Sequence, residues 1–176
     1  MQTAGRLDSV RPMPLAVSAY EFSLFIHVTA VMVGLGATFA NAVTFPLAMK
    51  LNPRHLPYVH RLSLSLSRHF AMPGLLVVAA TGVYQMAEGN WSYADFWVSG
   101  SLTIVVILAI MTLAYFIPGD KRLGAMVEKE IAAAGSGEVQ LSEDYLRASR
   151  GLGIAGPIAG LLLVVAVFLM VTKPGL

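Results

Sequence analysis

FSLFIHVTAVMVGLGATFANAVTFPL, residues 22–47, runs for 26 residues without one Asp, Glu, Lys or Arg. At the ~1.5 Å rise of an α-helix this run is longer than the ~30 Å hydrocarbon core of a bilayer, so it reads as a membrane span. Inside it stands one titratable side chain, His27, the only imidazole in any apolar run of the chain. Helical spacing from His27 reaches Val31, Gly34, Thr38, Asn41 and Phe45, which share one side of the cylinder. Small and polar residues on one face of a span turn inward, because they let backbones approach and need polar partners. The same face explains Gly34, Gly36, Ala37 and Ala40 as helix-packing positions.

Three further runs match the first in kind: residues 70–86, 96–117 and 151–171, again without Asp, Glu, Lys or Arg. With helix ends added, the spans are expected at about 18–49, 66–87, 96–117 and 151–171. A chain of 176 residues that is 56% hydrophobic and 12% charged has more apolar surface than a soluble domain of this size buries. The fold class is therefore an all-α integral membrane protein, a four-transmembrane-helix bundle. No cysteine is present, which excludes disulfides and thiolate metal sites.

The basic residues sort by loop. Lys50, Arg54, Arg61 and Arg68 lie between spans one and two, and Lys121, Arg122, Lys129, Arg147 and Arg150 between spans three and four. Only Arg6, Arg11 and Lys173 fall on the other side. The positive-inside rule then places both termini outside and both long loops in the cytoplasm of a bacterial inner membrane. The charges are not arranged as a nucleic-acid patch.

Around the spans the domain plan is an N-terminal arm (1–15), a transmembrane domain (16–172) with a cytoplasmic helical loop (119–150), and a tail (173–176). Helix three is expected to stop at Pro118-Gly119, Pro73 to kink helix two, and Ser142 to cap a helix running into span four. His60, Arg61, Arg68 and His69 read as a basic collar facing head groups. The alternating charges of the 119–150 loop read as a solvated face, and no catalytic constellation is visible there.

A histidine inside a membrane span is costly unless paired or used. Its leading use is haem ligation through a neutral imidazole. The competing account pairs it with a hydroxyl such as Thr81 or Tyr84, serving only to lock helices together. Gly34, Thr81, Tyr84 and Ser101 are the candidate pocket residues around it.

LFIHVTAVMVGLGATF, Ala80-Thr81-Gly82 and the Trp97 that opens helix three resemble the copper-resistance D and HemJ-type four-helix membrane proteins. They are similar, more closely, to an uncharacterised bacterial family of predicted integral membrane proteins. The likeness covers roughly residues 18–122. It implies a b-type haem with His27 as axial ligand, and no other metal. The HemJ pattern also has a lysine and a second histidine in helix three, where this chain has Ser101 and about Thr112. The oxidase residues of that pattern are thus not matched, and no catalytic residue is assigned.

The expected function is a small polytopic membrane protein or subunit holding a b-haem on His27. The alternative is a non-catalytic scaffold or accessory subunit. The expected partners are the lipid bilayer and a larger membrane complex or a second copy of the chain, with no nucleic acid.

Overall fold

The computed structural model describes residues 17–175, so the expected arm over 1–15 lies outside the described residues. Among the described residues every regular element is helical. Helix α1 spans Ala19–Ala48; a 3-10 turn, Pro53–His55, leads into α2 (Leu56–Leu66); a π-turn over Ser67–Ala71 joins α2 to α3 (Met72–Glu88). Helix α4 (Phe96–Met111) passes through a second π-turn, Thr112–Phe116, into α5 (Ile117–Ala134), and α6 spans Glu143–Thr172. These form four rods of 30, 36, 39 and 30 residues, each long and apolar enough to cross a membrane.

Local chemistry sets where α1 begins. The Ser18 hydroxyl accepts from the Glu21 backbone N–H at 3.2 Å, and the Glu21 carboxylate accepts from the Ser18 N–H at 2.8 Å. This capping box satisfies two backbone donors that the helix cannot. Ser18→Ala is expected to cost about 1 kcal/mol at this end. Hydrogen exchange should show the first-turn amides of α1 opening about fivefold more readily, with the rest of the helix unchanged.

The two π-turns share one cause. Met72 N–H bonds back to the Ser67 carbonyl and Ile117 N–H to that of Thr112, and each donor directly precedes a proline, Pro73 or Pro118. A proline ring has no N–H and collides with the carbonyl four residues back; the extra residue of a π-turn relieves that crowding. The expected stop at Pro118-Gly119 is therefore corrected: the helix continues to Ala134. Pro157 leaves α6 unbroken. Ser142 caps α6 as expected, its hydroxyl accepting from the Tyr145 N–H.

The rods close into a ring in which α1 packs on α3 and α6, α4 on α6, and α3 on α4, while α2 pairs with α5 beyond one end. That end carries the loops with most of the lysines and arginines and is called the basic end. The other carries Trp91, Trp97 and Lys173 and is called the tryptophan end. On α6, Ile154, Ile158, Leu161, Val165, Phe168 and Val171 are exposed at helical spacing, and Phe22, Phe25, Val28 and Met32 are exposed on α1. Stripes this apolar face lipid.

Two cores divide the interior. Met86, Trp97, Ile104, Leu108 and Leu169 pack in the tryptophan half. At the basic end Ala48, Leu56, Val59, Leu123, Val127 and Tyr145 form a second core among α1, α2, α5 and α6. Arg54 ties the turn above it, donating from Nη2 to the carbonyls of Gly135 (2.7 Å) and Gly137 (2.8 Å).

Candidate functional site

His27 is buried on α1 and faces α3. Thr81 gives its hydroxyl hydrogen to the Val77 carbonyl at 2.6 Å, so at 2.8 Å from His27 Nδ1 it acts as the acceptor. The imidazole is thereby held as the Nδ1–H tautomer, leaving the lone pair on Nε2 without a protein partner among the described residues. Gly82 packs beside the ring, where a Cβ would lie 3.5 Å from His27 Cε1, in ordinary van der Waals contact.

The ring lines an outer cavity of about 500 Å³ in the tryptophan half of the bundle. Its walls are mainly apolar, and its polar groups are those of His27, Gln85, Ser101 and Lys173, the indoles of Trp91 and Trp97, and the phenols of Tyr20 and Tyr93. Two of these are orphans, because Trp97 Nε1 and Ser101 Oγ are buried without a hydrogen-bond partner. Gln85, also buried, donates to the Ser23 hydroxyl at 3.4 Å. At the mouth, Lys173 Nζ sits 3.9 Å from the centroid of the Trp91 ring and 5.2 Å from that of Trp97. Lys173 is held there by its left-handed backbone (φ 43°), which ends α6.

The candidate residues named from sequence are only partly brought together. His27 and Ser101 share the outer cavity, and Thr81 grips the back of the imidazole. Gly34 instead lines a separate inner cavity, together with Val31, Thr38, Asn41 and Phe45, the inward face expected of α1. Tyr84 is exposed and lines neither cavity, so it is corrected as a pocket residue: helical rotation turns it outward. Lys173, Gln85 and Trp91 were not singled out. Lys173 could have been found from its position, one cation at the end of an apolar span beside an interface tryptophan pair.

A second constellation at the basic end also goes beyond the sequence reading. His60, expected in a basic collar facing head groups, is 2% exposed. Its Nδ1 is 3.0 Å from Asp120 Oδ1 and its Nε2 is 2.9 Å from the Tyr145 hydroxyl. Ser63 Oγ donates to Asp120 Oδ2 at 2.6 Å. Tyr145 precedes the fourth apolar run; burial pushes its phenol up from the ordinary value, and the carboxylates of Glu130 and Asp120 add to this. The phenol therefore keeps its proton, Ser63 donates to the carboxylate, and His60 bridges the phenol oxygen and the carboxylate. Asp120, expected in a solvated loop, is buried because the helix does not stop at Pro118. His69 stays at the surface, near its own helix carbonyl on Ser65.

Among the described residues no three His, Cys, Asp or Glu side chains gather as a metal set. No curated protein and no solved structure matches the chain. The model of a family described as predicted integral membrane protein (DUF2269) matches residues 22–174, which include all four rods except the first three residues of α1. With that match and four helices fit to cross a bilayer, the chain belongs to the DUF2269 family and is an integral membrane protein.

Proposed function

We propose that the protein holds a b-type haem in the outer cavity, with Nε2 of His27 as the iron ligand, and serves as a membrane redox protein or subunit. The observation that carries this reading is the hydrogen-bond chain behind the ring: Thr81, which donates to the Val77 carbonyl, lies 2.8 Å from Nδ1, and a neutral imidazole anchored in this way presents Nε2 to a metal. The residues present fit such a group. A cavity of about 500 Å³ lies in the ~300–1,000 Å³ range of pockets that enclose a ligand. The orphaned Trp97 Nε1 and Ser101 Oγ are free donors, and Lys173 supplies a cation suited to a carboxylate-bearing edge at the interface.

In that role His27 would hold the group, Thr81 would fix the ring, and Val78 and Val105 would keep water from it. The haem itself would supply a one-electron couple. The likeness of the first helix to copper-resistance D and HemJ-type proteins supports the same histidine. The basic loops support a bacterial cytoplasmic-membrane orientation with the outer cavity away from the cytoplasm.

The test is a visible spectrum of the full chain in nanodiscs titrated with haemin. The expected result is a saturating Soret band at one haem per chain, abolished in His27→Ala. Thr81→Val should keep the band and weaken binding about 10–100-fold, the usual effect of removing an outer partner of a metal-bound histidine. No saturable band in the wild-type chain would overturn the haem reading and leave the accessory-subunit role.

A further inference from the structure

The inner cavity, about 180 Å³, lies on the bundle axis toward the basic end. Val31, Val78, Val105, Val167 and Met170 line both cavities and form an apolar collar between them. The inner space exceeds the ~150 Å³ that admits a benzene-sized guest in an engineered cavity. It stays open beside α1 and α6 because Gly34 and Gly156 carry no side chain, and a Cβ at either would meet nothing within 4 Å.

Its polar groups are Asn41, Ser63, Ser67, Thr112 and Asp120, with the hydroxyls of Thr38 and Thr44. Several are already committed. Thr112 and Thr38 give their hydrogens to helix carbonyls, and Ser63 gives its own to Asp120. Ser67 is not: it is 6% exposed, lines the cavity from the first π-turn, and makes no side-chain hydrogen bond among the described residues. The Asn41 amide on α1 has no partner there either. With no protein partner, the Ser67 hydroxyl is available to an occupant of the cavity able to bond it.

Asp120 decides what kind of occupant. His60 and Ser63 hold one oxygen each, and Tyr145 holds His60 from behind, so the carboxylate is fixed with lone pairs to spare. A fixed carboxylate repels an anionic head and favours a donor. Mainly apolar walls at membrane depth disfavour a strongly hydrated one.

We propose that the inner cavity is a binding site for a lipid-soluble compound with a neutral hydroxyl head, whose O–H donates to Asp120 and whose oxygen accepts from Ser67. Asp120 and Ser67 are its binding residues; His60, Ser63 and Tyr145 are positioning residues. The proposal is independent of haem in the outer cavity.

The test is calorimetric titration of the full chain in nanodiscs, blanked against empty discs, with 4-propylphenol and its methyl ether 4-propylanisole. The pair has the same ring and tail and differs in the donor. The expected result is saturable binding of the phenol at one per chain, and binding of the ether at least about tenfold weaker, as loss of a hydrogen bond to a charged group implies. Ser67→Ala should weaken the phenol about fivefold without lowering the thermal midpoint. Gly156→Leu, which fills the space without a backbone clash, should abolish saturable binding. Equal affinity for phenol and ether would overturn the hydroxyl assignment. No saturable phenol binding, or binding indifferent to Gly156→Leu, would overturn the site.

Discussion

Asp120→Ala is expected to lower the unfolding free energy by about 3–5 kcal/mol, the cost of removing one partner from a buried pair. His60 Nδ1–H and the Ser63 hydroxyl would both lose their acceptor in a region where His60 is 2% and Asp120 4% exposed. Water does not reach these donors easily, so their desolvation is not recovered. Tyr145→Phe removes one hydrogen bond while keeping the packed ring, and should cost only about 1 kcal/mol. Equilibrium unfolding in mixed micelles, read by circular dichroism, gives the comparison. An Asp120→Ala protein within about 0.5 kcal/mol of wild type would show that the network is not holding the basic end together.

Leu123→Ala is expected to cost about 2–5 kcal/mol, as for other large-to-small changes in a packed core. Leu123 is 1% exposed and sits with Leu56, Val59 and Tyr145, beyond the apolar run of its own helix. There the hydrophobic effect acts as in a soluble protein, because the alternative environment is water. Leu161→Ala is the contrasting change. Leu161 is 65% exposed on the lipid-facing stripe of α6, and leaving lipid for lipid yields little, so the cost should stay within about 0.5 kcal/mol. The same micelle unfolding assay separates the two, and equal costs would contradict the division between a water-excluded end core and a lipid-facing belt.

The four spans were legible because hydropathy over some 20 residues is a local property that no tertiary contact needs to complete. The inward face of α1 was legible too: Val31, Gly34, Thr38, Asn41 and Phe45 follow one helical stripe, and all five line the inner cavity. The His27–Thr81 pairing was one of two accounts raised by an intramembrane histidine, and the structure makes that contact while leaving Nε2 free. Tyr84 went astray because residues three apart on a helix are still offset by about 60° around its axis, and that offset turns Tyr84 from the side facing His27 to the exposed side.

The basic end was misread for a different reason. Pro118-Gly119 carries a strong stop signal, and a stop there puts Asp120 in water. A π-turn over Thr112–Phe116, just before the proline, keeps the helix running and carries Asp120 into the interior.

By itself, then, the sequence determined the number of spans, the side of the bundle that bears the basic loops, and the placing of one histidine on an inward stripe. All of these follow from composition and periodicity along a single helix. Only the tertiary structure decided that His60, Asp120 and Tyr145 form one network across 60 and 85 residues of chain, and that the axis holds two cavities divided by a collar. It also set Lys173 over Trp91 at the outer mouth. Those features depend on how far each helix is rotated and how far it overhangs its neighbour, and packing between helices sets both.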